Sequence, residues 1–195
     1  MRLLLASKSA ARRQMLEAAG VPFQAVEAPL DEEEAKQRFG SLAARELAMA
    51  LAEAKAESVT ADASDLVLGS DQTLERDDGT MLSKPRSRQD ALEQLRSLSG
   101  RTHRLHSAAA VVEGGQIVWS ATESVALSVR PLSEAFLRGY LDQEYEAIRW
   151  SVGGYRIEGA GVQLFERIDG SHFAILGMPL LPLLAFLRER GVVGR

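Results

Sequence analysis

Ala6-Ser7-Lys8-Ser9-Ala10-Ala11-Arg12-Arg13 brings two hydroxyls and three cations together where a short strand gives way to a helix. A helix N-terminus presents unpaired N–H groups and a partial positive charge, so anions settle there. Guanidinium forks add donors suited to phosphate oxygens. The plainer reading is a serine cap with solvated arginines, and taken alone this segment favours it. Asp71 follows the apolar run Leu66-Val67-Leu68-Gly69-Ser70. A carboxylate directly after a buried strand lies at the carboxyl edge of a sheet, where open α/β sheets place ligand sites. A lone Asp is more often a turn or cap residue. Glu32 lies in the acidic run Asp31-Glu32-Glu33-Glu34, whose default state is a solvated loop. Lys84 follows a turn signal and reads by default as a solvent-facing lysine. Lys55 sits beside the apolar face of a helical pattern, where its stem can lie along that face and its ammonium reach outward. Together, Lys8, Arg12, Arg13, Lys55 and Lys84 supply positive charge, while Glu32 and Asp71 could hold a hard divalent cation through oxygen. That mixture suits a polyphosphate delivered with Mg²⁺ or Mn²⁺.

Other chemistries are poorly served. The chain has no cysteine, which excludes disulfides, thiolate metal sites and a cysteine nucleophile. His103, His106 and His172 lack metal-ligand spacing, and no Walker loop, HExxH or G-x-S-x-G occurs. The glycine-rich passage Ser151–Gly161 is not a dinucleotide fingerprint, because the third glycine and following helix are missing. Twenty-three Lys+Arg against 27 Asp+Glu leave a net charge of −4, which argues against bulk electrostatic binding to DNA or anionic membrane. No apolar run approaches the roughly 18–20 residues that a spanning helix needs. The apolar opening Leu3–Ala6 is too short for a secretory signal, so a cytoplasmic location is expected.

The elements that must position these residues follow from pattern. With 195 residues, 46% hydrophobic and 26% charged, the chain is expected to form one domain, or one domain of two lobes. Short apolar runs alternating with helical patterns predict an α/β domain with a mixed sheet and flanking helices. Arg2–Ala6 is a strand. Ser9 caps a helix ending at Gly20, Phe23–Val26 is a second strand, and Ser41 opens a longer helix with Leu47, Ala50, Leu51 and Ala54 on its buried face. Asp77-Asp78-Gly79 turns between two short strands. Ser87 caps a helix carrying Leu92, Leu95 and Leu98. Two long strands flank Glu113-Gly114-Gly115, the second with Val125, Leu127 and Val129 on one face. A helix from about Ser133 to Asp142, a hairpin around Asp169-Gly170 and a helix from Pro179 to Arg190 complete the chain.

The segment Leu5–Arg13 resembles the N-terminal signature of the Maf family of nucleoside triphosphate pyrophosphatases. The resemblance continues through Asp31-Glu32, Lys55, Gly69-Ser70-Asp71-Gln72, Lys84-Pro85, Ser99-Gly100, Gly154-Tyr155-Arg156-Ile157-Glu158-Gly159 and Gly177-Met178-Pro179, in order and over nearly the whole length. It implies a mixed α/β fold like that of the inosine triphosphate pyrophosphatases, with two lobes around a central cleft. It also implies hydrolysis between the α- and β-phosphates to a nucleoside monophosphate and pyrophosphate, with a divalent metal. By the same resemblance Asp71 is the general base, Ser7, Arg12, Lys55 and Lys84 bind substrate, and Glu32 joins Asp71 near the metal; Arg13 is added to the substrate-binding set by its charge beside Arg12. Ala11, Gln72 and Glu158 fall on the specificity positions. Gln72 and Glu158 match the 7-methyl-GTP branch, whereas Ala11 stands where that branch carries a tryptophan and the pyrimidine branch an arginine. Ala10 replaces a customary proline. Two further readings stay open: a nucleotide-sensing regulator of cell division with weak turnover, and a pyrimidine (dTTP/UTP) pyrophosphatase. A homodimer is expected by analogy only, and neither nucleic acid nor membrane is expected as a partner.

Overall fold

A computed structural model describes residues 1–194. Among the described residues seven strands, β1 (Leu3–Ala6), β2 (Gln24–Val26), β3 (Leu66–Arg76), β4 (Met81–Leu82), β5 (Thr102–Glu113), β6 (Gln116–Val129) and β7 (Phe165–Asp169), form one sheet in the order β2-β1-β3-β5-β6-β7, with β4 paired to β3. Strand β1 pairs in parallel with β2 and with β3. The pairs β3–β4 and β6–β7 are antiparallel. Gly114 and Gly115, at φ 56° and 80°, join β5 to β6 with the positive φ that a two-residue hairpin turn demands. The mixed sheet and its flanking helices agree with the sequence expectation.

The chain divides into two compact units, Met1–Gln72 with His106–Glu123 and Ser171–Arg195, and Thr73–Leu105 with Ser124–Gly170. In the first, alternate residues of the strands bury opposite faces. Leu3, Leu5, Leu66 and Leu68 pack with Met15 and Leu16 of α1 (Ala10–Ala18) and with Leu180, Leu183 and Leu187 of α7 (Leu180–Glu189). Leu4, Ala6 and Val67 point the other way, towards Ala56 of α3 (Ala44–Glu57). Strands covered on both faces become continuous apolar runs, which is why Leu3–Ala6 and Leu66–Leu68 are legible in sequence. In the second unit α4 (Arg88–Leu98) packs on α5 (Glu134–Ile148). Arg96 and Glu134 join the two helices by two hydrogen bonds of 2.6 Å.

Several expectations need correction. Helix α3 begins at Ala44 after Ala43, not at Ser41. Its buried face is Leu47, Ala48, Leu51, Ala52, Lys55 and Ala56, with Ala50 and Ala54 only half-buried. The acidic run is no loop: Asp31 accepts from the backbone N–H groups of Glu33 and Glu34 and caps α2 (Glu32–Phe39). Carboxylates crowd its first turn because the helix dipole favours them there. Asp71 lies within β3, which continues to Arg76, rather than at a strand end. Helix α5 extends past Asp142 to Ile148. No hairpin forms at Asp169-Gly170; β7 ends there and the short helix α6 (His172–Ile175) follows.

Candidate active site

Four segments of the first unit converge. The loop after β1 carries Ser7, whose Oγ accepts from the Ser9 N–H at 3.2 Å and from Arg12 Nη1 at 3.3 Å. A hydroxyl whose oxygen already accepts twice keeps its O–H to donate. Ser9 caps α1 by accepting from the Arg12 N–H. Arg12, only 9% exposed, also donates from Nε to the Gly177 carbonyl and from Nη1 to the Ser70 carbonyl, both at 2.9 Å. Burial pushes its pKa below the usual arginine value while Asp71 and Glu32 pull it back up. A guanidinium stays charged under either influence. Gly177 is at φ +103°, and a side chain there would begin 3.2 Å from Arg12 Nε. Arg12 therefore braces the loop as much as it offers charge outward.

The close approach of α3 to β3 starts at Gly69. A Cβ on Gly69 would lie 2.1 Å from the Ala52 carbonyl oxygen and 2.7 Å from the Ala56 nitrogen. Residues two apart on a strand share a face, so Asp71 projects on the side that Gly69 opens to α3. Lys55, one helical turn along from Ala52, is 7% exposed and meets it there. Its Nζ donates to Asp71 Oδ1 at 2.5 Å and pairs with Glu32 Oε1 at 2.9 Å. On the opposite face the buried Ser70 hydroxyl lies 2.8 Å from the Ala108 carbonyl and 2.9 Å from that of Gly177. Gln72 Nε2 donates to Ser107 Oγ, the Ala174 carbonyl and the Ile175 carbonyl at 2.8, 2.9 and 3.1 Å. Two carbonyl partners assign that end of the amide as NH₂ and leave Gln72 an acceptor oxygen.

The structure thus gathers Ser7, Arg12, Glu32, Lys55 and Asp71. Ala11 and Arg13 are half-buried on α1, and Lys8 pairs instead with Glu27 on the surface. Lys84 and Glu158 belong to the second unit. Lys84 is exposed and lines, with Ser83, Arg86, Ser87, Asp90 and Gln94, a recess of ≈ 390 Å³. Glu158 is exposed on a turn whose neighbours Tyr155 and Ile157 are buried. Among the described residues, no three His, Cys, Asp or Glu side chains form a metal-ligating group. Glu32 and Asp71 place hard oxygen atoms around one ammonium. Sequence reasoning passed over Ser70, Ser107 and the packing role of Gly69, although a glycine inside an apolar strand is itself a sign of close backbone approach.

A profile of the family described as "Maf-like protein" matches residues 2–190. A "Nucleoside triphosphate pyrophosphatase" of Sphingopyxis alaskensis is 47% identical, covering 98% of each chain. A "7-methyl-GTP pyrophosphatase" of Rhizobium meliloti is also 47% identical, over 98% of this chain and 97% of that one. A solved nucleoside-triphosphatase (dITP/XTP pyrophosphatase) from Mycobacterium abscessus aligns over 98% of this chain and 96% of its own, at 15% identity and a TM-score of 0.44.

Proposed function

The chain belongs to the Maf-like family, and we infer that it is a nucleoside triphosphate pyrophosphatase acting on guanine-type bases, 7-methyl-GTP among them. The products are the nucleoside monophosphate and pyrophosphate. The observation that carries this reading is the nearly buried Lys55 ammonium, paired with both Asp71 and Glu32. Cleavage between phosphates asks for charge neutralisation and an aligned water more than for covalent chemistry. As phosphate oxygens compete for Lys55, Asp71 Oδ1 is released to orient a water and accept its proton. The Ser7 O–H donates to a phosphate oxygen, and Arg13 adds charge. Arg12 contributes charge from within while holding Ser7 and the Ser70 carbonyl in register.

The donor set fits a divalent cation. Carboxylate oxygens from Glu32 and Asp71, completed by phosphate and water, are a usual set for Mg²⁺. Such an ion, when bound, neutralises phosphate charge and makes a water it holds more acidic.

Base preference rests on hydrogen-bond chemistry. An ionised Glu158 only accepts, and Gln72 presents its acceptor oxygen because its NH₂ is engaged. Guanine offers adjacent N–H donors, whereas uracil and thymine offer one N–H between two carbonyls. Methylation at N7 adds positive charge that a carboxylate favours, although Ala11 supplies no ring to stack on it. The name of the Rhizobium meliloti relative supports the same direction. The test is kcat/KM for GTP, 7-methyl-GTP, UTP and dTTP with Mg²⁺ or Mn²⁺. Each mispaired polar contact is worth about 1–3 kcal/mol, so guanine-type substrates should lead by at least about fivefold. A protein that prefers UTP or dTTP contradicts base reading by Glu158.

A further inference from the structure

Glu158 is exposed, and the turn that carries it is held by packed neighbours on both sides. It occupies a corner of the turn Arg156–Gly159, closed by the Gly159 N–H donating to the Arg156 carbonyl at 3.4 Å. The turn is fastened on both sides within the second unit. On its C-terminal side, a Cβ on Gly161 would lie 2.3 Å from the Arg156 carbonyl oxygen, so the chain folds back tightly on Arg156. The Arg156 guanidinium is meanwhile held 3.1 Å from Glu144 Oε2. On its N-terminal side the anchor is the buried Tyr155. Its ring meets Phe165 edge-on, with centroids 4.9 Å apart. It also packs over Gly153, where a Cβ would lie 2.7 Å from Tyr155 Cε1 and where φ is +80°. Its hydroxyl lies 2.7 Å from Nε2 of His103 on β5, a side chain only 1% exposed.

We propose that His103 is a positioning residue for base selection: through its hydrogen bond to Tyr155 it fixes the turn that presents Glu158 to the nucleotide base. This rests on the reading of Glu158 given above. Burial supports a bond that does not titrate in use. It lowers the His103 pKa to about 4 and raises that of the Tyr155 phenol above its ordinary value. Both partners are therefore neutral near pH 7, and the bond holds position without adding charge. Lys55, Asp71 and Ser7 belong to the first unit and hydrogen-bond to neither His103 nor Tyr155.

The experiment measures kcat and KM for GTP and UTP in the wild type, His103→Phe, Tyr155→Phe, the double variant and Glu158→Gln, with thermal unfolding of each. The expected result is a GTP-over-UTP ratio lowered about tenfold, or ~1.4 kcal/mol, in each single His103 and Tyr155 variant. The loss should sit in KM for GTP, with kcat for UTP nearly unchanged. The double variant should fare no worse than the singles, since it leaves neither group buried without a partner, and it carries the test if a single variant fails to fold. Folded variants that keep the wild-type ratio, or lose kcat equally on both substrates, overturn the positioning role. Glu158→Gln separates the two claims. A ratio unchanged there removes the base-reading premise and this proposal with it. A collapsed ratio there, with His103 and Tyr155 variants unaffected, overturns the positioning role alone.

Discussion

Each unit holds a close polar pair, and the two are built on opposite principles. Lys55 and Asp71 in the first unit are charged and within 2.5 Å of each other, with Glu32 as a second counter-ion. His103 and Tyr155 in the second are joined at 2.7 Å, and burial holds both neutral near pH 7. Withdrawing ions from water is costly and is offset only by close partners, so a buried ammonium between two carboxylates needs a use for its charge. In the reaction proposed above phosphate would supply one, because an anionic substrate would exchange for a carboxylate on the same lysine. A neutral pair has nothing to exchange and serves where a backbone turn must keep its place. Arg12 stands between the two cases. It is a charged side chain whose observed partners are the Gly177 and Ser70 carbonyls and the Ser7 hydroxyl, so its charge is anchored where that of Lys55 is exchangeable.

The sharpest way to break this contrast is Asp71→Asn. It keeps the shape of the side chain and removes the proton acceptor, and losing a general base lowers the rate by about 10²–10⁴. Thermal unfolding should remain cooperative, because Asp71 is only half-buried and Glu32 still balances Lys55. Steady-state rates beside circular dichroism check this. A folded variant with most of its activity would remove Asp71 from the chemistry.

Next in size is Gly69→Ala. A methyl group 2.1 Å from the Ala52 carbonyl oxygen must push α3 away from β3, and overpacking of this kind costs about 1–3 kcal/mol or somewhat more. Because Lys55 rides on that helix, kcat should fall together with the denaturant midpoint. Lost stability at unchanged kcat would show that the charged pair does not depend on the close helix approach.

The smallest effect near neutrality belongs to His103. Its folded-state pKa of about 4 lies below the ordinary value near 6.5, so the unfolded chain takes up a proton that the folded chain refuses. Stability attributable to this group is full above about pH 6.5 and lost as the pH falls towards 4, by roughly 3 kcal/mol in all. Urea unfolding from pH 7 to pH 4 should therefore fall more steeply for the wild type than for His103→Phe, in which the shared carboxylate contributions cancel. Parallel profiles would mean that His103 is not held neutral.

How much of this was legible depended on the reach of the contact. Local signals were readable: Ser9 and Ser87 cap their helices as expected, and the run Leu66–Leu68 marks a central strand. Lys55 stood out because helical periodicity set it beside an apolar face. Asp71 was found for a partly mistaken reason, since polar residues after Ser70 look like a strand end although the ladder continues to Arg76. Helix α2 was missed because an acidic first turn looks like solvated loop unless Asp31 is recognised as its cap. Long-range partners were out of reach. Nothing near Arg12 announces Gly177, and nothing near His103 announces Tyr155. Such pairings depend on tertiary packing and not on local propensity.

Identification of the products tests the central claim most directly. Phosphorus NMR of GTP turnover with Mg²⁺ should show GMP and pyrophosphate appearing together, with neither GDP nor orthophosphate as an early product, and folded Asp71→Asn should yield almost nothing over the same time. GDP and orthophosphate as primary products, or an Asp71→Asn variant as fast as the wild type, would contradict an active site built around Lys55 and Asp71 for cleavage between the α- and β-phosphates.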